Sequence, residues 1–245
     1  MANRYISFVN ILKEDISQVW NIDRFKMVRF PELLWMLGDL FFDSVKLPNV
    51  LDMPIKLPQG DFVLPDLGHS AGVILRALLL VIRQKEEERN PNWNNYYCYL
   101  TTNQGYVKAG QSQRNGGAHF DGMQGFRYKD KFPVCHQYLI SSCNPTVYYP
   151  HGFNFDVLDD NKHNFFLECD RQKQLDKAFI AKPNCLYLQT AYCVHESPAA
   201  KEDCFRSFVR VEFSLKQFNR IGNSENPNLK TGWNYEAQPI PEHLI

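Results

Sequence analysis

The chain has 245 residues, its 27 basic side chains balanced by 27 acidic ones, with seven histidines and seven cysteines. That length suits one domain with a sizeable core, and zero net charge disfavours a general attraction to nucleic acid or to an anionic membrane surface. No run approaches the ~18 consecutive apolar residues of a membrane span, the first residues carry no secretory pattern, and no Cys-x-x-Cys pair occurs, so the thiols are expected to be reduced in the cytoplasm.

The first 95 residues read as a helical and loop-rich lead-in that packs on the core. Two or three helices are predicted between 13 and 47, one of them over 31–37, where Pro31 takes the first helical position. Prolines 48, 54, 58 and 65 mark 47–66 as irregular. The spacing of Val73, Ile74, Ala77, Leu78 and Val81 predicts a helix over 70–89, which stops at Asn90 and Pro91. Its terminal run of Lys85, Glu86, Glu87, Glu88 and Arg89 reads as a solvated end.

From Tyr96 the pattern changes to short strands, predicted at 96–102, 135–141, 146–149, 185–188 and 205–213, all rich in aromatic or β-branched residues. These strands form the core, 96–215, and 216–245 is a tail wrapped on it, anchored by aromatics such as Phe218, Trp233 and Tyr235. The expected fold is mainly β with flanking helices, its core a double-stranded β-helix (jelly roll) of two sheets. In the last strand Arg206, Phe208, Arg210 and Glu212 share one face, and Phe205, Ser207, Val209, Val211 and Phe213 the other. The apolar set should pack on the helical layer, and the charged set should face a polar cavity inside the roll.

That preference rests on what precedes the strand. His119 and Asp121 are two apart, so in extended chain both side chains point the same way. Gly116, Gly117 and Gly122 bracket the pair, and His195 follows another strand-like run. A lone His-x-acid is weak evidence, since about 0.8 would arise by chance from seven histidines and 27 acids in 245 residues. Two imidazoles and a carboxylate, however, can hold Fe(II) on one face and leave the other open.

Together these residues resemble the Fe(II)/2-oxoglutarate-dependent dioxygenase superfamily, in which a His-x-Asp pair, a distal histidine and a basic residue ten to fifteen positions later recur. The resemblance covers 116–213 and leaves the N-terminal third unexplained. It implies His119, Asp121 and His195 as iron ligands and catalytic centre, with Arg206 or Arg210 on the distal carboxylate of 2-oxoglutarate. Arg206 is the first choice, and Thr146 matches a co-substrate-contacting threonine of the taurine-dioxygenase-like branch. Arg210 would then grip an anionic substrate group, or the two arginines exchange roles. The implied reaction consumes O2, releases succinate and CO2, and hydroxylates a small amino-acid-like or acidic substrate, or a peptide. Asp121 supports hydroxylation, because halogenating members lack this carboxylate.

Other candidates read more plainly. His136, His151 and His163 share no ligand spacing and are expected to be hydrogen-bonded or surface histidines. Cys193 with His195 lacks a second thiol for zinc, Gly116 and Gly117 precede no phosphate-loop lysine, and Tyr138 and Tyr192 are assigned to core packing. Gln111, Gln113, Arg114 and Asn115 before the motif, and Met123, Gln124 and Arg127 after it, are placed on loops that could meet substrate. Two rivals stay open: a catalytically silent jelly-roll binding protein, and a cupin-type metalloenzyme that does not use 2-oxoglutarate.

Overall fold

The computed structural model describes residues 8–16, 20–37, 45–114, 116–121, 134–156, 158 and 163–237. Two antiparallel sheets dominate it. Strands β1 (Glu32–Met36), β2 (Val50–Lys56), β3 (Tyr97–Val107), β4 (His136–Ser141), β7 (Cys185–Thr190) and β9 (Cys204–Ser214) form a six-stranded sheet in the order β1-β7-β4-β9-β3-β2. The smaller sheet has the order β6-β5-β8, from β5 (Val147–Tyr148), β6 (Phe179–Ile180) and β8 (His195–Glu196). Helices α1 (Phe8–Ile16), α2 (His69–Arg89) and α3 (Phe165–Gln172) flank them. The fold is mainly β with flanking helices, as the strand pattern predicts.

Period-two alternation splits the large sheet into two chemically different faces. Leu100, Tyr138, Ile140, Leu186, Leu188, Val209, Val211 and Phe213 pack against Leu75, Leu78, Leu79 and Ile82 of α2 in one apolar core. The opposite face carries Thr101, Leu139, Arg206, Phe208, Arg210 and Glu212 and lines a cavity. The parity predicted for β9 is therefore the one observed. A second core of Phe25, Phe120, Phe153, Phe155, Phe165 and Tyr192 packs separately from the first.

Four local expectations are corrected. Residues 31–37 are not helical: Glu32–Met36 is an edge strand whose register pairs Glu32 with Leu188 and Met36 with Cys185. The unpaired edge of β7 decides this, since its backbone groups need partners and the weak helical signal of seven residues cannot compete. The irregular stretch 47–66 contains β2, which tolerates Pro54 because an edge strand leaves one row of N–H positions unpaired. Its register slips between Val50 and Met53, and Asp52 sits in the slip at φ 45°.

Helix α2 exists, but its buried stripe is Ala71, Leu75, Leu78, Leu79 and Ile82, while Val73 is 55% exposed. Residues 71–82 are apolar almost all round, so spacing alone does not select the face. The polar end of the helix selects it. Glu86 is fully buried and accepts bonds from His136 Nε2 (2.8 Å), Tyr138 Oη (2.8 Å) and Asn90 Nδ2 (2.8 Å). Arg89, also buried, pairs with Glu32 of β1 at 2.9 Å. The supposed solvated charge run thus supplies two internal ties. His136 is hydrogen-bonded, and Tyr138 and Tyr192 are core aromatics, as expected.

The tail is anchored by its aromatics. Phe218 stacks on Tyr99 with centroids 4.2 Å apart, and Trp233 meets Tyr97 edge-on at 5.7 Å. Ser224 exchanges hydrogen bonds with Leu51 in the β2 slip, which brings Arg220 and Ser224 to the cavity wall.

Candidate metal centre

His119 and His195 face each other across a narrow antiparallel bridge, each backbone N–H donating to the other's carbonyl at 2.8 Å. This bridge extends the small sheet, and it brings together two residues far apart in sequence. Phe120 points away from the bridge, buried among Phe25, Phe155 and Phe166. His119 and Asp121 therefore project together to the other side, as the alternation requires.

The imidazoles are oriented by the same device twice. His119 Nδ1 lies 2.9 Å from the carbonyl oxygen of Gly117, and His195 Nδ1 lies 2.9 Å from that of Cys193. A carbonyl only accepts, so Nδ1 of each ring is the donor of that bond, which leaves Nε2 as the atom each ring offers to a metal. Gly117 reaches its position at φ +89°, a backbone conformation that side chains oppose. The adjacent Ala118 N–H donates to Asp170 at 3.0 Å, which fixes the segment against α3.

Ligand atoms of His119, Asp121 and His195 all lie within 4.8 Å of one another. Burial and the neighbouring His195 hold the His119 imidazole below its ordinary range despite Asp121, so it is neutral near pH 7. Burial alone would push the Asp121 carboxyl up, but Arg210, His195 and His119 outweigh it and hold it well below the usual carboxylate range. Two imidazole nitrogens and one carboxylate oxygen, converging with hydrogen bonds that orient both rings from behind, form a donor set that fits a divalent ion.

The two arginines of β9 stand in different electrostatic settings. Arg210 Nη1 donates to Asp121 at 3.0 Å, Nη2 to Asp52 at 2.6 Å, and Nε lies 3.6 Å from Glu212. Its charge is fully matched. Arg206 is 1% exposed and has no carboxylate partner among the described residues. Its Nε donates to the carbonyls of Cys143 (3.2 Å) and Asn144 (3.1 Å), and its Nη1 donates to the Gln113 amide. Burial, with Arg114 nearby, pulls this guanidinium down to about 10. Thr146, two residues beyond Asn144, is buried and lines the same cavity.

That cavity holds about 1020 Å³ and is bounded by all six residues singled out from the sequence. Sequence reasoning missed Asp52 and Glu212 as site residues. An acid inside the apolar run Val50, Leu51, Asp52, Met53 was the available signal for the first. Glu212 belongs to the recognised charged parity of β9; burial pushes its carboxyl up to about 7 although Arg210 is beside it. Of the loop residues expected near substrate, Arg114 lines the cavity and Gln113 holds Arg206, while Asn115, Met123, Gln124 and Arg127, like the bracketing Gly122, lie outside the described residues.

No known family model matches the chain, and no curated protein matches it. Among solved structures it is similar to EvdO2 from Micromonospora carbonacea var. aurantiaca, at 12% identity and TM-score 0.40, covering 77% of this chain and 75% of that one. It is also similar to AviO1 from Streptomyces viridochromogenes Tue57 (8% identity, TM-score 0.37, covering 84% and 96%) and to the non-haem monooxygenase ThoJ (10%, 0.32, covering 59% and 55%). It spans about a quarter of EvdMO1, at TM-score 0.28. Likenesses at this level do not place a chain in a family.

Proposed function

We propose that this protein is a non-haem Fe(II), 2-oxoglutarate-dependent oxygenase. The observation that carries the reading is Arg206: a buried guanidinium, without a carboxylate partner among the described residues, in the same cavity as a two-histidine, one-carboxylate cluster. A buried cation of this kind calls for an anion from outside the chain. The planar fork of arginine matches a carboxylate.

His119 Nε2, His195 Nε2 and a carboxylate oxygen of Asp121 would hold the iron. Fe(II) there would supply the oxidising chemistry, coupling the decarboxylation of 2-oxoglutarate to succinate with transfer of one oxygen atom of O2 to a substrate. Arg206 takes the distal carboxylate of 2-oxoglutarate, with the Thr146 hydroxyl beside it. Arg210 acts differently from either role the sequence suggested: it fixes the Asp121 carboxylate and is itself held by Asp52. Phe208 and Leu139 supply an apolar wall that keeps water from the reacting groups. All seven cysteines are free thiols, which suits a reducing compartment such as the cytoplasm. No helix among the described residues is long and apolar enough to cross a membrane.

The test is anaerobic addition of Fe(II) and then 2-oxoglutarate. A weak visible charge-transfer band and, on admitting O2, succinate release are expected, both absent from His119→Ala. Iron uptake without a response to 2-oxoglutarate would favour the cupin-type metalloenzyme, and no metal uptake would favour the silent binding protein.

A further inference from the structure

Arg114 is a second cavity guanidinium that no partner among the described residues explains. It is half-buried and lines the cavity, and it has neither a side-chain hydrogen bond nor an ion pair among the described residues. Its guanidinium carbon lies 5.9 Å from the centroid of the Phe208 ring, and that of Arg206 lies 5.1 Å from the same centroid. The two cations are therefore within about 11 Å of each other, held to one aromatic platform. Burial and the charge of Arg210 pull the Arg114 guanidinium below its ordinary range, although Asp121 and Asp52 oppose this.

Pairing, resting on the functional reading above, separates the two: Arg206 is taken by 2-oxoglutarate, and Arg114 is left as a cation in a partly desolvated space with no ion pair among the described residues, where an unmatched charge is unfavourable. Depth also orders the two: Arg206 is 1% exposed and Arg114 is nearer solvent, so the co-substrate seats first and a second ligand follows. Asn103, paired in register with Phe208, lines the same wall and adds a polar group.

We infer that Arg114 is the specificity residue for the substrate, which is a small organic anion docking its carboxylate or phosphate group on this guanidinium beside Phe208. Arg210 cannot serve this purpose, because Asp52 and Asp121 already occupy its fork.

The test uses metal-free protein carrying Arg206→Gln, so that neither a metal nor Arg206 competes for the probe. Sodium acetate and inorganic phosphate are titrated separately by calorimetry at constant ionic strength, and the tighter of the two distinguishes a carboxylate from a phosphate substrate. One-site uptake in the millimolar range is expected, weakened at least about tenfold by adding Arg114→Gln and largely restored by Arg114→Lys. No uptake of either probe, or equal uptake with and without Arg114, overturns the assignment. Separately, Arg114→Gln alone should leave the affinity of Ni(II)-loaded protein for 2-oxoglutarate within about twofold; a tenfold loss would assign Arg114 to the co-substrate instead. If wild-type protein fails to bind 2-oxoglutarate at all, the oxygenase reading fails, and the anion titration still reports on Arg114.

Discussion

Arg206→Gln separates the binding of co-substrate from the stability of the fold. Burial draws the guanidinium from its ordinary range down to about 10, and at 1.36 kcal/mol per pH unit this is about 3 kcal/mol against keeping the charge where it is. A carboxylate that meets the guanidinium recovers a comparable amount, so the variant should bind 2-oxoglutarate about 150-fold more weakly. The metal-free fold should barely notice. Glutamine forfeits bonds to Cys143, Asn144 and Gln113, each worth about 1 kcal/mol, but removes the cost of the unmatched cation, leaving the melting temperature within about 3 °C. Calorimetric titration of 2-oxoglutarate onto Ni(II)-loaded protein measures the first effect, and a thermal melt of metal-free protein measures the second. A folded variant whose affinity drops less than about fivefold refutes the argument.

Arg210→Lys keeps the charge but loses the fork that spans Asp52 and Asp121, so Ni(II) affinity should fall about 10- to 100-fold through a misplaced Asp121. Unchanged metal titration would remove Arg210 as a positioning residue. Glu86→Gln should cost about 3 kcal/mol at pH 7, or about 9 °C of melting temperature, by weakening the buried bonds from His136, Tyr138 and Asn90. Although burial pushes the Glu86 carboxyl up, His136 and its hydrogen bonds hold it below the ordinary range. Its contribution is therefore present above the unfolded value of about 4.3 and is lost as pH falls through the folded value, so wild type and variant should converge in acid melts. In Gly152→Ala the new Cβ would meet the Lys26 carbonyl oxygen at 2.5 Å, and urea midpoints should reveal a loss of about 2 kcal/mol with an unchanged slope.

Period-two patterning made the β core legible. It located β3, β4, β7 and β9, and it assigned the two faces of β9, because a strand buried on one side and polar on the other leaves that alternation in its residues. The N-terminal part was harder to read. Whether Glu32–Met36 becomes a strand depends on an open edge contributed by β7, more than 140 positions later, and no local pattern encodes that. The buried face of α2 was equally hidden, since Glu86 and Arg89 look like surface charges until His136, Tyr138 and Glu32 are seen around them. At the site, spacing pointed to His119, Asp121 and His195, and the structure brings them together. It could not tell Arg206 from Arg210. That distinction depends on Asp52, which a slip in an edge strand turns toward one arginine and not the other.

The reciprocal amide bonds between His119 and His195 have a consequence for how an ion is taken up. Both imidazoles are locked in place by the chain's own ladder, so the entropy of assembling the chelate is lost when the protein folds rather than when metal arrives. Stripping the ion should consequently leave this rung intact, with the two amides exchanging their hydrogens slowly and in step.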